Sequence, residues 1–174
     1  MLFRSRLLTS TLAVNSTMIP FGLTEGQFSD RYRGILNRQE KAAVAEVRRV
    51  LALTLPDDVL SAEVVVFLDD SGYGAPAVRM NFAGNNTRIS KAYPSIHPGG
   101  GLQFGFDLSG LADFDEEYFT ADFNGLGLAA DVMRQWVAEC WWKAGGWGYK
   151  VPVVLSVHDG WGNGELVSLS EADA

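Results

Sequence analysis

Between Thr24 and Pro56 the chain carries one unbroken helical pattern, and it dictates what the rest must supply. Phe28, Tyr32, Ile35, Leu36, Ala43, Val47 and Val50 recur at helical intervals. At about 100° per residue they fall in a stripe about 120° wide, with Arg31, Arg38, Lys41, Arg48 and Arg49 outside it. Thr24 stands three residues before Gln27, the spacing of a capping box. Pro56 ends the pattern near Leu53. Such a helix draws its stability from burying its apolar face, so a sheet or a second helix must cover it.

The segments that follow read as that cover. EVVVFLDD (63–70) is a short β-branched run, apolar on both faces at its centre. SGYG is a turn, APAVRMNF (75–82) a second strand, and GNN at 84–86 another turn. TRISKAY is expected to pair next, and PSIHPGGG to be a loop. LQFGFDL alternates, with Leu102, Phe104, Phe106 and Leu108 on one face and Gln103, Gly105 and Asp107 on the other. A second helix runs through LGLAADVMRQWVAECWWKAGG, with Leu128, Val132, Met133, Trp136, Val137 and Cys140 on one broad face. Gly145 and Gly146 end it, and Lys143 suits its negative end. VPVVLSV and ELVSLS then bracket VHDGWGNGEL (157–166).

Strands lying between two helices, without βαβ alternation, predict an α+β fold. The expectation is an antiparallel or mostly antiparallel β-sheet of five to six strands packed against two main helices. The helices should lie near 26–53 and 126–144, and the best-marked strands near 63–69, 76–82, 151–157 and 165–170. With 174 residues and 47% hydrophobic content, one domain has a sufficient core, whereas two would each be starved of one. Residues 1–17 read as a loosely attached N-terminal extension. Arg4 and Arg6 before LLTSTLAV faintly resemble a signal peptide, but Thr9, Ser10 and Thr11 dilute the apolar run. No stretch reaches the roughly 20 apolar residues of a membrane span, and a soluble, cytoplasmic chain is expected.

Charge narrows the choice of partner. Residues 1–50 hold eight basic and four acidic side chains, a balance of +4; residues 51–174 hold six and seventeen, a balance of −11. Clustered positive charge is the mark of a nucleic-acid surface, and most of this chain offers the reverse. Asp113, Asp115, Glu116, Glu117 and Asp122 stand among Phe114, Tyr118, Phe119 and Phe123. Five acids in ten residues read as a hydrated surface held down by aromatic anchors, able to attract a basic protein.

The segment VHDGWGNGEL invites a catalytic reading, yet Asp-Gly and Asn-Gly are ordinary hairpin turns. Asp159, Asn163 and Gly164 match three EF-hand positions, but Trp161 and Ser170 stand where two essential oxygen ligands belong. His158 and His97 are the only histidines, and neither has sequence-local metal-ligand spacing. A small hydrolase would need His158, Asp159 and Asp69 to converge at one sheet edge. The lone cysteine, Cys140, reads as a buried hydrophobe, and no P-loop or nucleophile elbow is present. No metal or cofactor is expected.

Tryptophan is in excess. Trp136 reads as core, while Trp142, Trp147 and Trp161 are candidates for exposure. Exposed indoles near carboxylates can serve as a protein hot spot or a sugar-stacking platform. The resulting expectation is a non-catalytic protein-interaction module whose partner-binding residues are Asp113, Asp115, Glu116, Glu117, Trp142 and Trp161. In overall character the chain is similar to neutralising partners such as bacterial immunity proteins, a likeness carried by no motif. The alternatives are the hydrolase above and a carbohydrate-binding module built on exposed tryptophans.

Overall fold

The computed structural model describes residues 18–71 and 74–171. The N-terminal extension anticipated at 1–17 and two residues of the SGYG turn lie outside the described residues. Helix α1 (Glu25–Leu51) begins at the anticipated capping box. The Thr24 hydroxyl accepts from Gln27 N at 3.3 Å, and Thr24 N donates to the Gln27 side chain at 3.0 Å. Every residue of its apolar stripe is buried, and Arg48 and Arg49 occupy the last turn, where positive charge meets the helix's negative end.

Strand β1 (Val59–Phe67) starts four residues before the β-branched run that marks it in the sequence. It pairs antiparallel with β2 (Ala77–Gly84), which pairs antiparallel with β3 (Gly101–Gln103). Helix α2 (Gly125–Lys143) then carries the chain back across the sheet to β4 (Val153–Val157), which lies parallel to β1 on its other side. The edge strand β5 (Val167–Ser168) returns antiparallel to β4. The order is β3-β2-β1-β4-β5, a mixed and mostly antiparallel five-strand sheet with two helices packed against it.

Alternation along the strands fixes the faces. Ala62, Val64 and Val66 of β1 join the helix-side core, with Val64 registered between Met80 of β2 and Leu155 of β4. Glu63, Val65 and Phe67 point to the opposite face, where Val65 alone of the three is buried. Helix α2 is enclosed on most of its circumference: Met133, Trp136, Val137, Cys140 and Trp141 are buried, while Leu128 and Val132, expected on the core face, are half-buried. Gly125 opens α2 because a β-carbon there would lie 2.2 Å from the Tyr118 carbonyl oxygen.

Two strand expectations fail, for local reasons. Residues 87–91 form no strand. LQFGFDL pairs only at its start, because Gly105 N donates to the Glu46 side chain on α1 at 3.1 Å instead of to a neighbouring strand. Asp107 then turns the chain by accepting from Ser109 N and Oγ. The alternation survives in part: Phe104 and Leu108 are buried, and the rings of Phe104 and Phe106 stack at 5.1 Å.

Candidate functional site

The acidic segment is built on one buried tyrosine. Two short 3-10 turns, Ser109–Asp113 and Glu116–Phe119, carry it, and Asp115 caps the second by accepting from Glu117 N at 3.0 Å. Tyr118 is fully buried, its ring among Phe28, Phe114 and Phe123. Its hydroxyl donates to Pro20 O at 2.6 Å and accepts from Leu23 N at 3.0 Å. Those bonds, with Ile19 N donating to Asp113 O and Asp115 N to Ile19 O, pin residues 19–23 against the acidic segment.

That strap carries Phe21, which sequence reasoning did not single out. Its ring lies 5.0 Å from Tyr118 and 5.8 Å from Phe123, yet the residue is 46% exposed. Phe21, Phe123, Thr120, Glu117 and Asp122 line a shallow hollow of about 350 Å³. Glu116, Glu117 and Asp122 are exposed, while Asp113 and Asp115 are half-buried.

Some acids elsewhere on the surface are matched with bases: Glu139 with Arg33, Glu40 with Lys143, Glu46 with Arg49, Asp131 with Arg134. Among the described residues no such pair reaches Glu116, Glu117 or Asp122. The hollow therefore combines exposed aromatic surface with negative charge that the fold leaves uncompensated.

The β4–β5 connection is organised differently. Asp159, Gly160, Gly162 and Gly164 all take positive φ, so its Asp-Gly and Asn-Gly steps act as turn formers. Gly162 sits where a β-carbon would come within 2.5 Å of the Asp131 carboxylate on α2. Arg134, buried within α2, bonds to the side chain of Asn163, to Glu165 O at 3.0 Å and to Asp131 at 2.9 Å. The Glu165 carbonyl it takes lies just ahead of β5, which is two residues long.

This docking overturns the expectation of an exposed Trp161. Trp161 is half-buried and its Nε1 is enclosed. Trp142 does emerge, 42% exposed, in an open groove of about 520 Å³ with Asp131, Gln135, Glu139, Asn163 and Val167. Trp147 is exposed and Trp136 is core, as expected.

Of the expected partner-binding residues, Trp142 stands apart from the acidic segment. The acidic segment abuts the start of α2, and Trp142 lies seventeen residues beyond Gly125. At 1.5 Å per residue the two sites are about 25 Å apart.

The candidate catalytic groups His158, Asp159 and Asp69 follow the ends of the parallel neighbours β4 and β1, but Asp69 is bonded within its own turn. His158 Nδ1 lies 2.8 Å from the Asp159 carboxylate, both residues are exposed, and the imidazole covers the Phe67 ring at 4.7 Å. Asp69 is engaged in its own turn, accepting from Ser71 Oγ at 2.7 Å and Gly74 N at 2.6 Å. The Ser71 hydroxyl first, then the backbone amides, hold its carboxyl below the usual range. His97 stands at the other end of the sheet, beside the end of β2, where Gly99 N bonds to Phe82 O. Among the described residues no three His, Cys, Asp or Glu side chains are grouped to hold a metal ion. Cys140 is buried, and that burial pushes its thiol up to about 12, which suppresses the nucleophilic thiolate. No helix among the described residues is long and apolar enough to cross a membrane.

Arg134 and Phe21 are the residues that reading the sequence missed. The visible trace of the first was its i,i+3 spacing from Asp131 in an otherwise apolar helix. The second left no local signal, since its neighbours in space come from almost 100 residues further along. Neither a family model, nor a curated protein, nor a solved structure matches the chain.

Proposed function

We propose that this chain is a non-catalytic protein-interaction module that binds a basic protein partner through the Phe21 hollow and its acidic rim. The observation that carries this reading is the coincidence of a half-exposed phenylalanine, packed against the rings of Tyr118 and Phe123, with exposed carboxylates that pair with no base among the described residues. The rim acids raise the encounter rate with a positive surface, and the desolvated ring supplies affinity. Asp115 and Asp113 support the rim from half-buried positions. Trp142, at the far end of α2, belongs to a separate groove and is not required for this contact.

Recovery of a specific partner from native cells, followed by binding kinetics at low and high salt, tests the reading. Phe21→Ala should weaken the complex by about 2 kcal/mol, mainly through faster dissociation. Glu117→Gln with Asp122→Asn should slow association and flatten its salt dependence. A complex indifferent to all three changes rules this surface out. The hydrolase reading keeps one supporting observation, the exposed His158–Asp159 pair over Phe67. Turnover of a substrate that disappears in His158→Ala would favour it instead.

A further inference from the structure

Resting on that reading, we infer that the partner anchors an arginine side chain in the Phe21 hollow, its guanidinium over the phenyl ring and bonded to Glu117 and Asp122. The hollow offers two features that a guanidinium uses together. One is the exposed part of an aromatic ring held in place by Tyr118 and Phe123. The other is a pair of carboxylates lining the same depression.

An aromatic face attracts a cation through its quadrupole, most strongly when the cation can shed water. Guanidinium is planar and weakly hydrated, so it can lie on a ring while its in-plane N–H groups donate to carboxylates. The lysine ammonium is a compact, strongly hydrated charge that gains less from the ring and donates without a fixed fork. Carboxylates alone would accept either cation. The ring makes the choice.

Among the described residues no arginine lines the site. Arg33, Arg49 and Arg134 are committed to Glu139, Glu46 and Asp131, and none lines the hollow. Among the described residues no base pairs with the rim, and the positive charge of a partner's arginine complements it.

The test titrates the full chain with oligo-arginine and oligo-lysine peptides of equal length and charge at low salt. Wild type should prefer the arginine peptide by about two- to fivefold, the increment expected of one partly exposed cation–π contact. Phe21→Leu keeps apolar cover over Tyr118 but removes the ring, and should abolish the preference while retaining lysine-peptide binding. An unchanged thermal midpoint establishes that the variant is folded.

A preference that survives Phe21→Leu overturns the placement of the guanidinium on the ring. Equal affinity for both peptides, weakened alike by Glu117→Gln and Asp122→Asn, overturns the arginine inference and leaves a basic-partner surface standing. Absence of binding by either peptide, or binding that ignores every substitution, overturns both.

Discussion

The acidic segment at 113–123 and the β4–β5 connection at 158–166 are both irregular stretches that set carboxylates beside aromatic rings. They dock onto α2 by opposite means. The connection is drawn in by a buried cation, Arg134, whose donors are spent on Asn163, Glu165 and Asp131. The acidic segment is held by rings and by a neutral hydroxyl, that of Tyr118, which bonds two backbone groups of the strap. Charge used for docking is no longer available to a partner. Charge left out of the docking is, and the proposed role of the Phe21 hollow rests on that contrast.

The largest expected effect comes from breaking the neutral anchor. Tyr118→Ala removes a fully buried ring that touches those of Phe21, Phe28, Phe114 and Phe123, and leaves Pro20 O and Leu23 N without their partner. Loss of a large buried aromatic costs about 3–5 kcal/mol. Denaturant unfolding should show that loss, and residues 19–23 should lose hydrogen-exchange protection ahead of the sheet. Equal loss of protection everywhere would mean that the strap has no separate anchor.

Arg134→Met comes next. It keeps the stem's packing and deletes a charge that is only 8% exposed as a residue. Hydrogen bonds from charged groups contribute roughly 1.5–3 kcal/mol, and the exposed side of Asp131 can regain water, so about 2 kcal/mol is expected. The readout specific to the contrast is tryptophan fluorescence: Trp161 should become more accessible to a quencher, while the hollow should still bind its partner. If partner binding fails together with the loop, the two regions are coupled rather than independent.

The same contrast shows how far the sequence could be read. Local rules located α1, its capping box and α2, because period and cap chemistry lie within a few residues. They also marked the turn in 158–166, since Asp-Gly and Asn-Gly carry their own backbone preference. The parallel pairing of β1 with β4 was not legible, because nothing within either strand selects its neighbour. Nor was the early end of β3, decided by a glutamate on α1 that takes the Gly105 amide. For the site, the acidic residues were visible as a run, whereas the exposed ring they surround was not. Trp161 was misjudged for a related reason: a hairpin tip is exposed until a helix nearby offers a guanidinium to hold it.

The smallest effect concerns an acid of a third kind, one that the fold both pairs and uses to shape the chain. Glu46 accepts from Arg49 Nε and from its terminal nitrogen, each at 2.8 Å, and from Gly105 N at 3.1 Å. The Arg49 hydrogen bonds, then the Gly105 amide, hold its carboxyl below the ordinary 4.5 despite an opposing contribution from partial burial. Because the folded value is the lower one, the ionised form stabilises the native state. That contribution is complete above the unfolded value and disappears as pH falls through the folded one. Asp69 and Asp107, lowered by the Ser71 and Ser109 hydroxyls, act in the same direction. Arg49 keeps most of its side chain in solvent although Glu46 is largely covered, so the pair's share should be about 1 kcal/mol. The thermal midpoint should therefore decline as the solution is acidified through the carboxylate range, and Glu46→Gln should make that decline shallower while lowering the midpoint at neutral pH. The same variant should loosen residues 104–108, since a glutamine carbonyl is a weaker acceptor for Gly105 N than a carboxylate. An acid limb as steep as wild type would mean that Glu46 shapes this segment without contributing to its stability.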